Sequence, residues 1–251
     1  MQIYFNDNEK YVTRWLRNLY PEACVDDRSV ELVALQNVTD YTRCHFFAGI
    51  GGWEYALTLA GWPETFPVWT ASLPCQPFSS AGKRRGFNDE RHLWPVFRDL
   101  VEQCLPPVIF GEQVASKDGR LWLSGVRADL EALGYAVGAA DLCAAGVGAP
   151  HIRQRLYWVA TNSTNPIWNQ WRQESHCGPI GRMGWQRQSV PWDEPWTDAL
   201  AKLRVMDDGL PRQVGATDAT RNAIVPQVAA EFIGSFMDVL GGADQGVLVG
   251  N

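Results

Sequence analysis

Short apolar segments alternate with amphipathic segments between Cys44 and Ala160, and this alternation limits the fold more than any other feature of the sequence. The apolar segments have the length of buried strands, and the intervening segments repeat apolar residues at helical spacing. Strands that alternate with helices form a parallel sheet. We therefore predict an α/β fold, a mostly parallel sheet flanked by helices, with ligands beyond the carboxyl ends of the strands. The predicted strands cover 44–47, 66–72, 108–112, 135–140 and 156–160, and the predicted helices cover 53–60, 93–104 and 123–133.

Composition divides the chain into four predicted segments. Residues 1–41 are polar and form an N-terminal extension, and residues 42–160 form the α/β core. Residues 161–204 are rich in Trp, Gly, Pro, Gln and Arg without a sustained period, which is typical of a small irregular insertion. Residues 205–251 return to the core through a helix that begins at Pro226, because proline is well tolerated as the first residue of a helix.

Bulk composition excludes several classes of protein. Hydrophobic residues make up 46% of the chain and aromatic residues 12%, which excludes wholesale disorder. No apolar run is long enough to cross a bilayer, and the first ten residues lack the features of a signal peptide. We therefore expect a cytoplasmic protein without a membrane partner. The six cysteines include no CxxC pair, so we expect neither a metal site nor a disulfide framework.

The charge is unevenly distributed along the chain. The net charge of −6 would by itself argue against a nucleic-acid partner. Residues 151–190, however, contain five arginines and one acidic residue, whereas residues 191–251 contain nine acidic and four basic residues. A basic island in an acidic chain favours a localised phosphate contact over a generally basic surface.

Cys75 stands at a strand-to-loop junction in the sequence LPCQPFS, where a thiol is exposed and held in place. The nearby basic residues Lys83, Arg84 and Arg85 can lower the pKa of this thiol and favour the thiolate. A free cysteine is more often a small buried hydrophobic residue. Cys75 is therefore a candidate nucleophile, with a packing role as the alternative.

Glu112 and two arginines are further candidate site residues, and Glu112 should face the same crevice as the Gly49 turn and Cys75 because all three follow predicted strands. Glu112 ends the apolar strand VIFGE, where burial would raise the pKa of its carboxyl group and suit it to general acid catalysis. Arg153 and Arg155 precede a strand two residues apart, so both point to one face and can hold a phosphate or a base oxygen. The ordinary alternatives are a surface glutamate and two solvated arginines.

Five motifs, in their order along the chain, resemble those of the DNA cytosine-5 methyltransferases. The most specific are PCQPFS and NAIVPQVA, and the resemblance extends from about Cys44 to Phe236. The matching segments are FAGIGG (Phe47–Gly52), PCQPFS (Pro74–Ser79), GEQV (Gly111–Val114), PHIRQR (Pro150–Arg155) and RNAIVPQVA (Arg221–Ala229). The resemblance implies a Rossmann-like methyltransferase core with a small target-recognition insertion, S-adenosylmethionine as cofactor and double-stranded DNA as partner.

The resemblance also implies a role for each matching residue. The Cys75 thiolate would add to carbon 6 of a flipped cytosine, and Glu112 would protonate or hydrogen-bond ring nitrogen 3. Arg155, supported by Arg153, would bind the base oxygen and the nearby phosphate. The implied cofactor residues are Phe47, Ala48, Gly49, Ile50, Gly51, Gly52, Pro74, Asn222 and Ala223, with Phe47 stacked on the adenine. The implied DNA contacts are Gln76, Ser79, Lys83, Arg84, Arg172, Arg182 and Arg187.

The chain departs from the family pattern mainly in its cofactor region. Only 21 residues separate Gly52 from Pro74, where the family places two further strands that carry the acid for the ribose and the residue that reads adenine. We expect those strands to be absent and the acid to be lost or supplied elsewhere, for example by the Asp26–Asp27 region, with residues 1–41 capping the sheet in their place. Three motif positions also differ, carrying Gln113, His151 and Arg221 where the family has Asn, Gln and Gly.

These departures leave three functions open. The first is methylation of carbon 5 of cytosine in duplex DNA by a compact enzyme of the kind expected from a phage or prophage gene. The second keeps Cys75 and Glu112 but uses another one-carbon donor, such as a folate-linked one. The third is a non-catalytic DNA-binding relative, or a subunit completed by a partner chain or by a second copy of itself.

Overall fold

A computed structural model describes residues 2–74, 93–149, 151–162, 164–167 and 223–242. The described residues form one seven-stranded sheet with helices on both faces, so the predicted α/β class is confirmed. The strands are β1 (Ile3–Asn6), β2 (Cys24–Asp26), β3 (Arg43–Phe46), β4 (Val68–Ala71), β5 (Val108–Val114), β6 (Tyr135–Cys143) and β7 (Gln154–Asn162). The helices are α1 (Lys10–Leu19), α2 (Gly52–Ala60), α3 (Trp94–Cys104), α4 (Lys117–Ala132) and α5 (Pro226–Gly242), the last beginning at the predicted proline.

The strands lie in the order β2-β1-β3-β4-β5-β7-β6. From β2 to β5 every neighbouring pair is parallel, whereas β7 runs antiparallel to both β5 and β6. The carboxyl ends of the five parallel strands therefore meet at one edge, where ligands of such sheets bind.

As expected, only α2 and β4 lie between Gly52 and Pro74, and residues 1–41 extend the sheet there. The expectation that two strands are absent from the sheet is wrong, because residues 1–41 supply two strands beside β3. β1 pairs with β3 along its whole length, with Ile3 opposite Arg43 and Asn6 opposite Phe46, and β2 pairs with the far side of β1. These strands were missed for a physical reason. They contain four and three residues, too few to show a period, and they precede the glycine turn in the chain instead of following it.

Each face of the sheet covers its own apolar core. Successive residues of a strand point to opposite faces, so Ile109 of β5 packs with α3 and α4, whereas Phe110 packs with α2 and α5. Phe110 meets Phe236 of α5 edge-on, with ring centroids 5.4 Å apart. A smaller core under α1 contains Phe5, and it anchors the N-terminal strands to the rest of the sheet.

A buried polar network ties α2 to the strands beside it. Glu54 in the first turn of α2 contacts Arg43 of β3 at 2.5 Å and the Nε2 atom of His45 at 3.0 Å. The other ring nitrogen of His45 lies 2.8 Å from the hydroxyl of Thr70 in β4. All four side chains are at most 3% exposed. The network fixes the start of α2 and therefore the turn that leads into it.

Candidate active site

The segment between β3 and α2 is a tight turn with left-handed backbone. Gly49 and Gly51 have φ values of +53° and +85°, which glycine adopts without steric cost. Phe47 has a φ of +52°, which is costly for an aromatic residue and persists only where surrounding structure enforces it. Backbone strain of this kind concentrates at ligand sites. It is found here at Phe47, for which the family resemblance implies stacking on an adenine.

Neighbouring side chains explain why two positions of this turn are glycine. A Cβ on Gly51 would lie 2.8 Å from the ring of Tyr20, and one on Gly52 would lie 2.8 Å from Ile224. A Cβ on Gly49 would meet no atom of the described chain within 4 Å. The turn is therefore packed from α1 on one side and from the segment before α5 on the other, while Gly49 faces open space.

Asp7 follows β1 directly and reaches the glycine turn. Its Oδ2 atom accepts a hydrogen bond of 3.0 Å from the main-chain N–H of Gly49, and Oδ1 accepts one of 3.0 Å from the N–H of Glu9. Burial raises the pKa of Asp7, and these two N–H donors only partly oppose the rise. The sequence analysis did not identify Asp7. An acid two residues after the apolar triplet Ile-Tyr-Phe was the signal that could have found it.

Asp26, the last residue of β2, and Asp27, which follows it, have partners away from the glycine turn. Asp26 accepts hydrogen bonds from Arg28 and from the hydroxyl of Tyr4, at 2.6 and 2.7 Å to its Oδ2 atom. Burial raises the pKa of Asp26, but these hydrogen bonds outweigh it and lower the pKa to about 2. Asp27 is exposed and forms a surface ion pair with Arg17 at 2.9 Å. Of the three aspartates, Asp7 alone contacts the glycine turn in the described structure.

Glu112 lies inside β5, two residues before its end, because the strand extends further than predicted. It is 8% exposed, and its Oε1 atom lies 2.8 Å from Nε of Arg155. Burial raises the pKa of Glu112, while the charges of Arg155 and Arg153 act in the opposite direction. The outcome is a carboxyl group that holds its proton to higher pH than an ordinary glutamate, as general acid catalysis near neutral pH requires.

Arg153 and Arg155 occupy the same corner but have different partners. Arg155 pairs with Glu112, whereas Arg153 donates a hydrogen bond of 2.8 Å to the main-chain oxygen of Ala223. Burial lowers the pKa of Arg153, and the positive charge of Arg155 lowers it further. The expected fork of two arginines is therefore divided, one towards the buried acid and the other towards the segment before α5.

Ala223 and Ile224 separate two cavities. One, of about 530 Å³, is lined by the arginines of residues 151–155 together with Ala223–Pro226. The other, of about 20 Å³, lies between these two residues and the glycine turn and includes Ser72. We call Ala223–Ile224 the shared wall.

The segment that leads to the predicted nucleophile Cys75 lies beside β5 as far as Pro74. Gln113, at the position where the family has Asn, donates from Nε2 to the main-chain oxygen of Leu73 at 3.3 Å. This bond fixes the chain one residue before Pro74, which is partly buried. Cys75 itself lies outside the described residues.

The structure brings together the predicted residues Phe47–Gly52, Glu112, Arg153, Arg155 and Ala223 around one edge of the sheet, with Pro74 close to it in the chain. The remaining predicted residues lie outside the described part: Cys75, Gln76, Ser79, Lys83, Arg84, Arg172, Arg182, Arg187 and Asn222. His151 is exposed beside the arginines. Within the described residues there is no cluster of three metal-ligating side chains, and no helix is long and apolar enough to cross a membrane.

Comparison with known proteins finds a similar family for part of the chain. Residues 62–179 match the model of the C-5 cytosine-specific DNA methylases. The chain is 35% identical over 98 residues to the type II methyltransferase M.AplI of Arthrospira platensis, covering 38% of this chain and 28% of that protein. It is 35% identical over 103 residues to M.HhaI of Haemophilus parahaemolyticus, covering 39% of this chain and 32% of that protein.

The chain thus spans about a third of the length of these curated relatives. Among solved structures, a Spodoptera frugiperda DNMT2 mutant is 20% identical, with a TM-score of 0.46 over 65% of this chain and 44% of that one. Residues 62–179 of this chain are therefore similar to the C-5 cytosine-specific DNA methylases.

Proposed function

We propose that this protein transfers a methyl group from S-adenosylmethionine to carbon 5 of cytosine in double-stranded DNA, as the modifying enzyme of a restriction–modification pair. The observation that carries the proposal is Glu112, a buried carboxyl group paired with Arg155 at 2.8 Å on the strand next but one to the glycine turn. One edge of a parallel sheet then carries a general acid, a cation for the base oxygen and a strand–glycine turn–helix unit.

The cofactor residues fit S-adenosylmethionine in their chemistry. The glycine turn offers main-chain groups beside open space at Gly49, and the strained Phe47 offers an aromatic face for the adenine. In nucleotide-binding sheets, an acid after the strand next to the glycine turn binds the ribose hydroxyls. Asp7 occupies that position, so we assign this role to Asp7 in place of Asp26 or Asp27. When bound, the cofactor supplies an electrophilic methyl group.

The residues of the chain prepare the base. Carbon 5 of cytosine is not nucleophilic enough to be alkylated directly, so the Cys75 thiolate first adds to carbon 6 of a base flipped out of the duplex. The proton of Glu112 goes to ring nitrogen 3, which neutralises the charge that develops there and makes carbon 5 nucleophilic. Arg155 donates to the base oxygen and holds Glu112 in place. After methylation, a solvent base takes the proton from carbon 5, the double bond between carbons 5 and 6 re-forms and the Cys75 thiolate leaves. The proton on ring nitrogen 3 returns to Glu112, which restores both the aromatic ring and the acid.

The two alternative functions lose their main support. Both the alternative donor and the partner-completed subunit were motivated by cofactor strands that the chain was expected to lack. β1 and β2 supply those strands within the chain. No observation on the described residues now favours either alternative over the methyltransferase.

The decisive experiment traps the covalent intermediate. Purified protein is incubated with duplex DNA of varied sequence in which 5-fluorocytosine replaces cytosine, with and without S-adenosylmethionine, because fluorine cannot leave as a proton does. We expect a denaturation-resistant adduct that requires S-adenosylmethionine and that mass spectrometry maps to Cys75. The Cys75→Ala variant is the matched control and should form none. An adduct that forms only with another one-carbon donor, or no adduct with any, would refute the proposal.

A further inference from the structure

Beside Gly52, the shared wall leaves almost no space for a ligand against the glycine turn, whereas Gly49 faces open space. The cavity there has a volume of about 20 Å³, which is room for about one water molecule. Ile224 closes it by lying where a side chain on Gly52 would be. Any cofactor that occupies this cavity must therefore displace Ala223 and Ile224 from their observed positions.

Two side chains near the start of β7 and within it hold the shared wall in place. Arg153 donates a hydrogen bond to the main-chain oxygen of Ala223 at 2.8 Å. The hydroxyl of Tyr157 accepts a hydrogen bond from the main-chain N–H of Val225, the residue that directly follows the shared wall. Tyr157 is 1% exposed, so it has little freedom to move. Arg153 lies at the rim of the larger cavity, beside the pair formed by Glu112 and Arg155. Of these two side chains, Arg153 is therefore the one that an incoming nucleotide can reach.

We propose that Arg153 exchanges the oxygen of Ala223 for a nucleotide oxygen when DNA binds, and that this exchange releases the shared wall so that the cofactor can enter. The inference rests on the proposed function, since it takes DNA and S-adenosylmethionine as the two ligands. It makes Arg153 a positioning residue for the cofactor cavity as well as a nucleotide contact. Each ligand then favours the state that the other needs, so the two bind with positive coupling that is equal in both directions.

The coupling is measured by calorimetry with S-adenosylhomocysteine, a non-reactive cofactor product, in the absence and presence of duplex DNA. In the wild type, we expect DNA to lower the Kd of S-adenosylhomocysteine at least about fivefold. In Arg153→Gln this factor should fall to about one. Without DNA, Arg153→Gln should bind S-adenosylhomocysteine at least as tightly as the wild type, because the shared wall is already released. A merely structural role for Arg153 predicts weaker binding instead.

Matched variants test the coupling, and hydrogen exchange tests whether Arg153 holds the shared wall. Arg153→Lys keeps a donor for the carbonyl and should retain coupling, and Arg127→Gln, which loses only a surface ion pair, should behave as the wild type. In the absence of DNA, hydrogen exchange should be faster at Ile224 and Val225 in Arg153→Gln than in the wild type, without change in α5. Unchanged exchange, or an unchanged coupling factor, would overturn the inference. Failure of the wild type to bind S-adenosylhomocysteine would refute the proposed function and with it the coupling, while hydrogen exchange would still decide whether Arg153 holds the wall.

Discussion

The carboxylate of Asp7 accepts the main-chain N–H of Gly49 at 3.0 Å, across 42 residues of the chain. This single contact joins the end of β1 to the turn that follows β3, and β1 and β3 are neighbours in the sheet. An acid that precedes the glycine turn in the chain thus occupies the place in space where nucleotide-binding sheets carry an acid that follows it.

The Asp7→Asn variant tests this placement. The amide can still accept the N–H of Gly49 but lacks the charge that strengthens hydrogen bonds to ribose hydroxyls. We expect the Kd of S-adenosylmethionine to rise about 10- to 100-fold, the value of one or two charged hydrogen bonds, with little change in thermal stability. Calorimetric titration measures it. If Asp26→Asn weakens cofactor binding and Asp7→Asn does not, our assignment of the ribose acid is wrong.

Asp26→Asn should instead change stability in a pH-dependent way. The pKa of Asp26 is lowered from 3.8 to about 2 in the folded chain, so its carboxylate stabilises the fold above the unfolded pKa, and this contribution is lost as the pH falls towards 2. Urea unfolding should therefore show a lower midpoint for Asp26→Asn than for the wild type at pH 6, with the two converging between pH 4 and 2. A difference that is independent of pH would contradict the hydrogen-bonded carboxylate.

Glu112→Gln should abolish proton donation while leaving the fold intact. We expect kcat to fall about 10²- to 10⁴-fold, the usual contribution of a general acid. In the wild type, kcat should decline as the pH rises through the raised pKa of Glu112, since only the protonated form donates. The variant should lack this alkaline decline. Single-turnover assays across pH provide the comparison, and an alkaline limb that survives in Glu112→Gln would assign the proton to another group.

The network around Glu54 predicts a large stability effect away from the chemistry. Glu54→Gln leaves the buried Arg43 without its countercharge, which typically costs 3–5 kcal/mol, roughly the effect expected here. The matched control is Glu102→Gln, which removes a partly exposed partner of Arg98 at 3.4 Å and should cost less than about 0.5 kcal/mol. Urea unfolding followed by tryptophan fluorescence gives both values. Equal costs for the two variants would show that the buried network is not what holds α2.

The core of the fold could be predicted from the sequence because its segments are long and periodic. The helix that starts at Pro226 and the strand that contains Glu112 were found in this way. The strands at Ile3–Asn6 and Cys24–Asp26 were not, since a strand of three or four residues has no measurable period. Local sequence also does not say on which side of β3 an earlier strand will pair.

The site was predictable in its residue types and only partly in its contacts. The pairing of Arg155 with Glu112 joins two motifs that the family resemblance assigns to the same base. The hydrogen bond from Arg153 to Ala223 joins residues 70 apart through a main-chain oxygen. Every residue has a main-chain oxygen, so the sequence does not indicate which one accepts this bond. For the same reason, the shared wall was visible only as a motif and not as a boundary between two cavities.

The order of strands has a consequence for the growing chain. β1, β2, β3 and β4 are neighbours in the sheet, and all four lie within the first 71 residues. Once the ribosome has released the residues up to Ala71, the emerged chain contains the glycine turn, Asp7 and the strands beside them. Short loops close at low entropic cost, and N-terminal units fold first during synthesis. The half of the sheet for which we propose cofactor binding is thus ready for assembly before Cys75, Glu112, Arg153 and Arg155 have been translated.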